Sequence, residues 1–152
     1  MSTKIETLKK LFSQHGLVAE DKFKHKHYTI ITRSGIDKIQ ASTGINVTYQ
    51  VIRCEPTFCV IKATGELNNS TIETFGSAVK GGQSEGNTNS WYVAEMAEKR
   101  AMSRAVLKLA GFYELNVFSE DESEEFSRKK KVNVTKTKTR NAKILAASRK
   151  SA

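Results

Sequence analysis

From Ile45 onward the apolar residues recur at every second position, a period that fits strands and not a helix over the same stretch. The runs INVTYQVIRC and FCVIKATGEL flank Glu55-Pro56-Thr57, and TIETF follows Asn68, Asn69 and Ser70. Pro, Asn and Ser favour turns at such places, so the spacing predicts three antiparallel strands joined by short connections. A meander of this kind leaves one apolar face that another element must cover.

The stretch SWYVAEMAEKRAMSRAVLKLAGF supplies the cover, with a helix predicted over Trp91–Phe112. On a helical wheel Met102, Ala105, Val106 and Leu109 make an apolar face, and Ala97 and Ala101 let a sheet come close beside it. Arg100, Arg104 and Lys108 recur at four-residue intervals and lie on one side. Such a row matches the regular spacing of phosphates along a nucleic-acid strand. The plainer alternative is a set of boundary side chains whose stems pack and whose charged ends pair with Glu95 and Glu98. Lys80 to Ser90, KGGQSEGNTNS, precedes the helix and reads as a mobile glycine-rich loop. It lacks the Gly-Lys-Ser/Thr ending of a phosphate-cradling loop, so nucleotide hydrolysis has no support.

Upstream, STKIETLKKLF offers Ser2 or Thr3 as N-cap, puts Ile5, Leu8, Leu11 and Phe12 on one helical face, and stops near Gly16. That face should pack on the core or on a neighbouring subunit. HYTIIT reads as a short strand, and SGIDKIQASTG as a short helix that turns Ile36 and Ile39 inward and ends near Gly44. In KFKHKHY, Lys22, Lys24 and Lys26 alternate with Phe23, His25, His27 and Tyr28. Amines for phosphates and rings for bases suit single-strand binding. A strand edge guarded by lysines gives the same pattern.

Charge divides the chain further. Residues 1–118 carry 15 basic and 11 acidic side chains, residues 119–127 carry five acids and no base, and residues 128–152 carry ten bases and no acid. One-signed blocks resist folding and act as interaction tails. The expected organisation is therefore an α+β core over 1–118, an acidic linker over 119–127 and a basic, disordered or partly helical tail over 128–152. The core is a three- to four-stranded antiparallel meander on one long helix. The linker is expected to fold back on the tail and compete with nucleic acid for it. A net charge of +9 points to a polyanionic partner.

His25, His27, Cys54 and Cys59 are zinc-type ligands, but their spacing is loose, and the cysteines read as buried free thiols. No catalytic constellation, metal or cofactor is expected. No apolar run reaches the ~18 residues that span a bilayer, so no membrane partner is expected and the protein is placed in the cytoplasm.

The order of three strands, a flexible loop and a helix carrying Met96-Ala97-Glu98-Lys99-Arg100-Ala101 and Ala105, closed by Gly111, resembles the single-strand annealing proteins of phage recombination, of the Erf and RecT/Redβ types. The resemblance covers about Ile45 to Phe112. It implies a non-enzymatic single-stranded DNA-binding protein that assembles into rings or filaments, works in recombination or replication, and belongs to a bacterial or phage-infected cell. RNA binding or structural assembly through the tail is the alternative. The candidate contacts are Lys22, Lys24, Lys26, Tyr28, Lys80, Lys99, Arg100, Arg104 and Lys108, then Arg128, Lys129, Lys130 and Lys131 in the tail. Tyr49, Trp91 and Tyr92 are candidates for stacking on bases.

Overall fold

The computed structural model describes residues 3–81 and 85–122. Helix α1, Lys4–Gln14, opens with a reciprocal cap in which Thr3 Oγ1 accepts from Glu6 N–H and Glu6 Oε2 accepts from Thr3 N–H. Strands β1, Lys22–His25, and β2, Tyr28–Ile31, follow, then helix α2, Arg33–Thr43, capped by Thr32 and ended by Gly44 at φ 74°. Strands β3, Asn46–Glu55, β4, Phe58–Leu67, and β5, Ser70–Val79, form the meander. Helix α3, Val93–Leu109, and a short strand β6, Val117–Ser119, complete the order.

The fold is α+β, as expected, with the long helix on the meander. The strands, however, make two separate three-stranded sheets rather than one. The second has the order β1-β2-β6, antiparallel between β1 and β2 and parallel between β2 and β6. The alternation in KFKHKHY is thus half of a hairpin, turned by Lys26 at φ 57°. Among the described residues no helix is long and apolar enough to cross a membrane.

Helix α3 is buried on two sides, which explains its apolar width. One side, with Val93, Ala97 and Ala101, packs on Cys59, Ile61, Ala63 and Ala78 of the meander. The other, with Met102, Val106 and Leu107, packs on Ile31, Ile36, Ile39 and Val117. The small residues of α3 admit the meander backbone closely. A Cβ at Gly76 would collide with the Ala97 carbonyl and the Ala101 nitrogen, and Thr74 Oγ1 donates to the Ala101 carbonyl at 2.6 Å. Across α2, Asp21 anchors the second sheet, because its buried carboxylate accepts from Lys38 Nζ and Ser34 Oγ, both at 2.6 Å, and from Val18 N–H. These bonds, Lys38 foremost, hold its pKa down to about 2.

The expected core boundary at residue 118 falls inside β6, and the fold continues to at least Glu122. Glu120 accepts from the backbone N–H of Arg33 at the start of α2, Asp121 accepts from Ser103 Oγ, and Glu122 from Arg104 Nε. These three acids of the predicted linker therefore serve the core rather than standing free to compete for the tail. The remainder of the linker and the whole tail, including Arg128, Lys129, Lys130 and Lys131, lie outside the described residues.

Candidate nucleic-acid interface

The four-residue arginine spacing has a structural cause. Arg100 is only 1% exposed, and its Nη1 donates to the Ser77 carbonyl at 2.8 Å, while Arg104 Nη1 donates to the Phe75 carbonyl at 2.8 Å. Both carbonyls lie on the edge of β5 that faces away from β4. Four residues of helix advance about 6.0 Å, and two residues of strand about 6.8 Å. Two arginines one turn apart therefore meet alternate carbonyls of an edge strand running the other way. The row closes a sheet edge.

This corrects the phosphate reading for Arg100, whose remaining donors are also engaged. Its Nη1 reaches Asn87 Oδ1 at 3.0 Å, its Nη2 the Asn87 carbonyl at 3.0 Å, and its Nε the Asp121 carbonyl at 3.1 Å. Arg104 is partly exposed but pairs with Glu122, whose side chain is 3% exposed. Lys108 and Lys99 are exposed, Lys108 lying over the Tyr113 ring at 5.1 Å.

Asn87 in turn shapes the glycine-rich loop. Its side chain accepts from Val79 N–H at 2.7 Å and donates to the Ser77 carbonyl at 3.2 Å, so one amide pairs with β5 as a neighbouring peptide unit would. Its own N–H donates to the Val79 carbonyl, and Thr88, buried beside it, bridges to Lys80. The expectation of a free loop is therefore corrected for Asn87 and Thr88, while residues 82–84 lie outside the described residues.

The pinned loop carries two aromatic rings into solvent. Trp91 is 70% exposed and Tyr92 71%, and Lys80 Nζ stands 4.0 Å from the centre of the indole. Both precede α3, which starts at Val93, two residues later than predicted. Among the described residues no side chain caps its first turn. The β3–β4 turn is nearby, since Lys80 N–H donates to the Thr57 carbonyl, and it brings Arg53 over the Phe58 ring at 5.8 Å. Lys80, Trp91 and Tyr92 thus gather at one end of the meander, whereas Arg53, on β3, is ion-paired with Glu55 at 2.7 Å.

Other candidates lie elsewhere. Lys22, Lys24 and Tyr28 belong to the second sheet and Lys26 to its hairpin turn, and Tyr28 packs edge-on against Phe118 at 5.3 Å and Phe118 against Tyr113. Its ring is part of an aromatic cluster. Tyr49, half exposed on β3, has its hydroxyl pKa raised by burial first and by the charge of Glu98 second, with Arg33 acting in the opposite sense. Met102, Val106 and Leu107, in the C-terminal half of α3, pack on the second sheet, whereas Trp91 and Tyr92 precede the N-terminus of the helix.

Cys54 and Cys59 are cross-strand partners and free thiols, but Cys54 is exposed rather than buried. Burial, and secondly its contact with Cys54, push the Cys59 thiol up to about 11. Among the described residues no group of three potential metal ligands forms. The sequence had flagged Lys80, Trp91 and Tyr92 separately, but nothing in its pattern marked Asn87 as their anchor. No protein-family model matches the chain, and no curated protein or solved structure is detectably similar to it.

Proposed function

We propose that the protein binds single-stranded DNA without catalysing a reaction on it, in the service of strand annealing during recombination or replication. The observation that carries this reading is the pair Trp91 and Tyr92, 70% and 71% exposed, with Lys80 against the indole. A site that tolerates every base needs open π-faces for stacking and a cation for the backbone, and this cluster offers both. Tyr92 makes no side-chain cap on α3, so first-turn backbone N–H groups face the same place, with Glu95 the acid of that turn. In this reading, Arg100 supports binding only indirectly, by holding through Asn87 the loop that presents the rings.

Self-association belongs to the same proposal. The β5 edge is closed by arginines, whereas β3 is an edge strand that leaves Tyr49, Val51 and Ile52 43%, 59% and 50% exposed. An open edge with apolar side chains is the natural place for a second copy to add.

Anisotropy with labelled oligo(dT), the matched RNA and duplex DNA tests the proposal. A stacked base contributes about 1–3 kcal/mol, so Trp91→Ala and Tyr92→Ala should each weaken oligo(dT) binding roughly fivefold to 150-fold. If both variants bind normally and removal of residues 128–152 abolishes binding, the tail is the contact and the RNA or assembly alternative takes over.

A further inference from the structure

Away from these rings, α1 and β1 enclose a groove of about 850 Å3. Leu8, Phe12, Leu17 and Phe23 line it with apolar surface, and Lys9, Lys22 and Lys24 add three cations. None of the described residues lining it is acidic. Its volume is in the range of sites that enclose a drug-sized ligand or a few peptide side chains.

The walls are incompletely used by the fold itself. Helix α1 fully buries none of its residues, Ile5 is 66% exposed and Phe23 46% exposed. Lys22 Nζ lies 4.4 Å from the Phe12 ring centre, so one cation is held over the apolar floor. Beside the groove, β1 is an edge strand whose second side has no partner strand among the described residues.

We propose that this groove docks a short acidic segment of another protein that carries interspersed large apolar side chains. Charge complementarity selects the occupant: apolar groups fill the floor while carboxylates meet the three lysines. The chain's own basic tail, ten cations over residues 128–152, would be repelled by the same lysines. Of the five acids ahead of the tail, Glu120, Asp121 and Glu122 are held at α2 and α3, and Glu124 and Glu125 lie outside the described residues. A nucleic acid would satisfy the lysines, but of the two rings among the lining residues Phe12 is stacked on Phe112 at 5.9 Å and faced by Lys22, which leaves Phe23 alone to meet a base beside Ile5, Leu8, Leu17 and Ala19. An acidic peptide fits both features. The surface is separate from the Trp91 cluster, so either proposal can fail alone.

The test uses the full chain and a short fluorescein-labelled peptide with Phe and Leu four residues apart among Asp and Glu. Controls replace the apolar residues by Ser, or the acids by Asn and Gln. The labelled peptide should bind saturably and both controls should bind at least tenfold more weakly. Lys22→Gln and Lys24→Gln should each weaken binding by up to about fivefold, as exposed ion pairs do. Phe23→Ser, on an exposed side chain, should weaken it about fivefold or more. Trp91→Ala should leave it unchanged, and circular dichroism should show all variants folded. No saturable binding of the peptide, or binding undiminished in the Lys22→Gln/Lys24→Gln/Phe23→Ser triple variant, overturns the proposal. So does a triple variant that loses oligo(dT) binding while its affinity for the peptide is unchanged.

Discussion

Replacing Arg100 by alanine should destabilise the fold by about 3–5 kcal/mol rather than remove a surface phosphate contact. Of the four acceptors that meet its guanidinium, Ser77 O keeps a second donor in Asn87 Nδ2, and Asn87 Oδ1 keeps one in Val79 N–H. The Asn87 and Asp121 carbonyls each lose the bond from Arg100, at about 1–3 kcal/mol apiece. Loss of the packed stem adds about 1–2 kcal/mol, and relief of the buried cation's desolvation keeps the total from rising further. Arg100→Met, which retains the stem, should cost about 2–4 kcal/mol by the same reasoning. Arg100→Lys should lie close to Met, because one ammonium cannot reproduce a planar fork that reaches four acceptors. Urea unfolding followed by circular dichroism measures these differences, and the alanine variant should lose roughly 10–20 °C in Tm. A double-mutant cycle with Asn87→Ala should give a coupling of about 1–3 kcal/mol. Full stability in Arg100→Ala, together with a salt slope for oligo(dT) reduced by about 0.7, would refute the reasoning and restore the phosphate contact.

Gly76→Ala should destabilise by about 3 kcal/mol or more in the same unfolding assay, since the new Cβ meets the backbone of Ala97 and Ala101, which cannot swing aside. Asp21, with its pKa held at about 2 against 3.8, contributes about 2 kcal/mol above pH 4. That contribution should fade as pH falls from about 4 to 2 and be absent throughout in Asp21→Asn, as urea titrations at several pH values would record. Val51→Lys on the open edge of β3 should lower the oligomeric mass in light scattering, and an unchanged mass would remove β3 as the assembly surface.

The meander was legible because its turns are spelled out: Glu55-Pro56-Thr57 and Asn68-Asn69 each sit between period-two runs, and both hairpins form there. Helix α2 was legible from Ile36, Ile39 and the stop at Gly44, whereas its cap, Thr32, reads in sequence as the end of the preceding strand. The second sheet was not, because its strands are three or four residues long and Thr29 pairs with Val117 far along the chain. Local periodicity cannot report a pairing of that separation. The arginine row was visible but ambiguous, since a helical turn matches both a row of phosphates and alternate carbonyls on a strand edge. Its partner was hidden: Asn87 lies in a run of Gly, Ser, Thr and Asn whose composition suggests only a loop. The acids at 120–122 read as a solvated block because counting charge along the chain cannot see α2 and α3 beside them. Among the binding candidates, the exposure of Trp91 and Tyr92 could not be read from a wheel that placed Trp91 inside the helix.

Trp91 is the single tryptophan of the chain, so its intrinsic fluorescence reports on the proposed site without labelling. With the ring 70% exposed, the free protein should emit like an indole in water. Titration with oligo(dT) should quench that emission along the same curve as anisotropy of the labelled oligonucleotide, because stacking on a base brings the two π-systems into contact. Lys80→Ala should weaken the binding that drives the quenching. Saturated binding by anisotropy with the tryptophan emission unchanged would contradict the account, placing the nucleic acid away from Trp91.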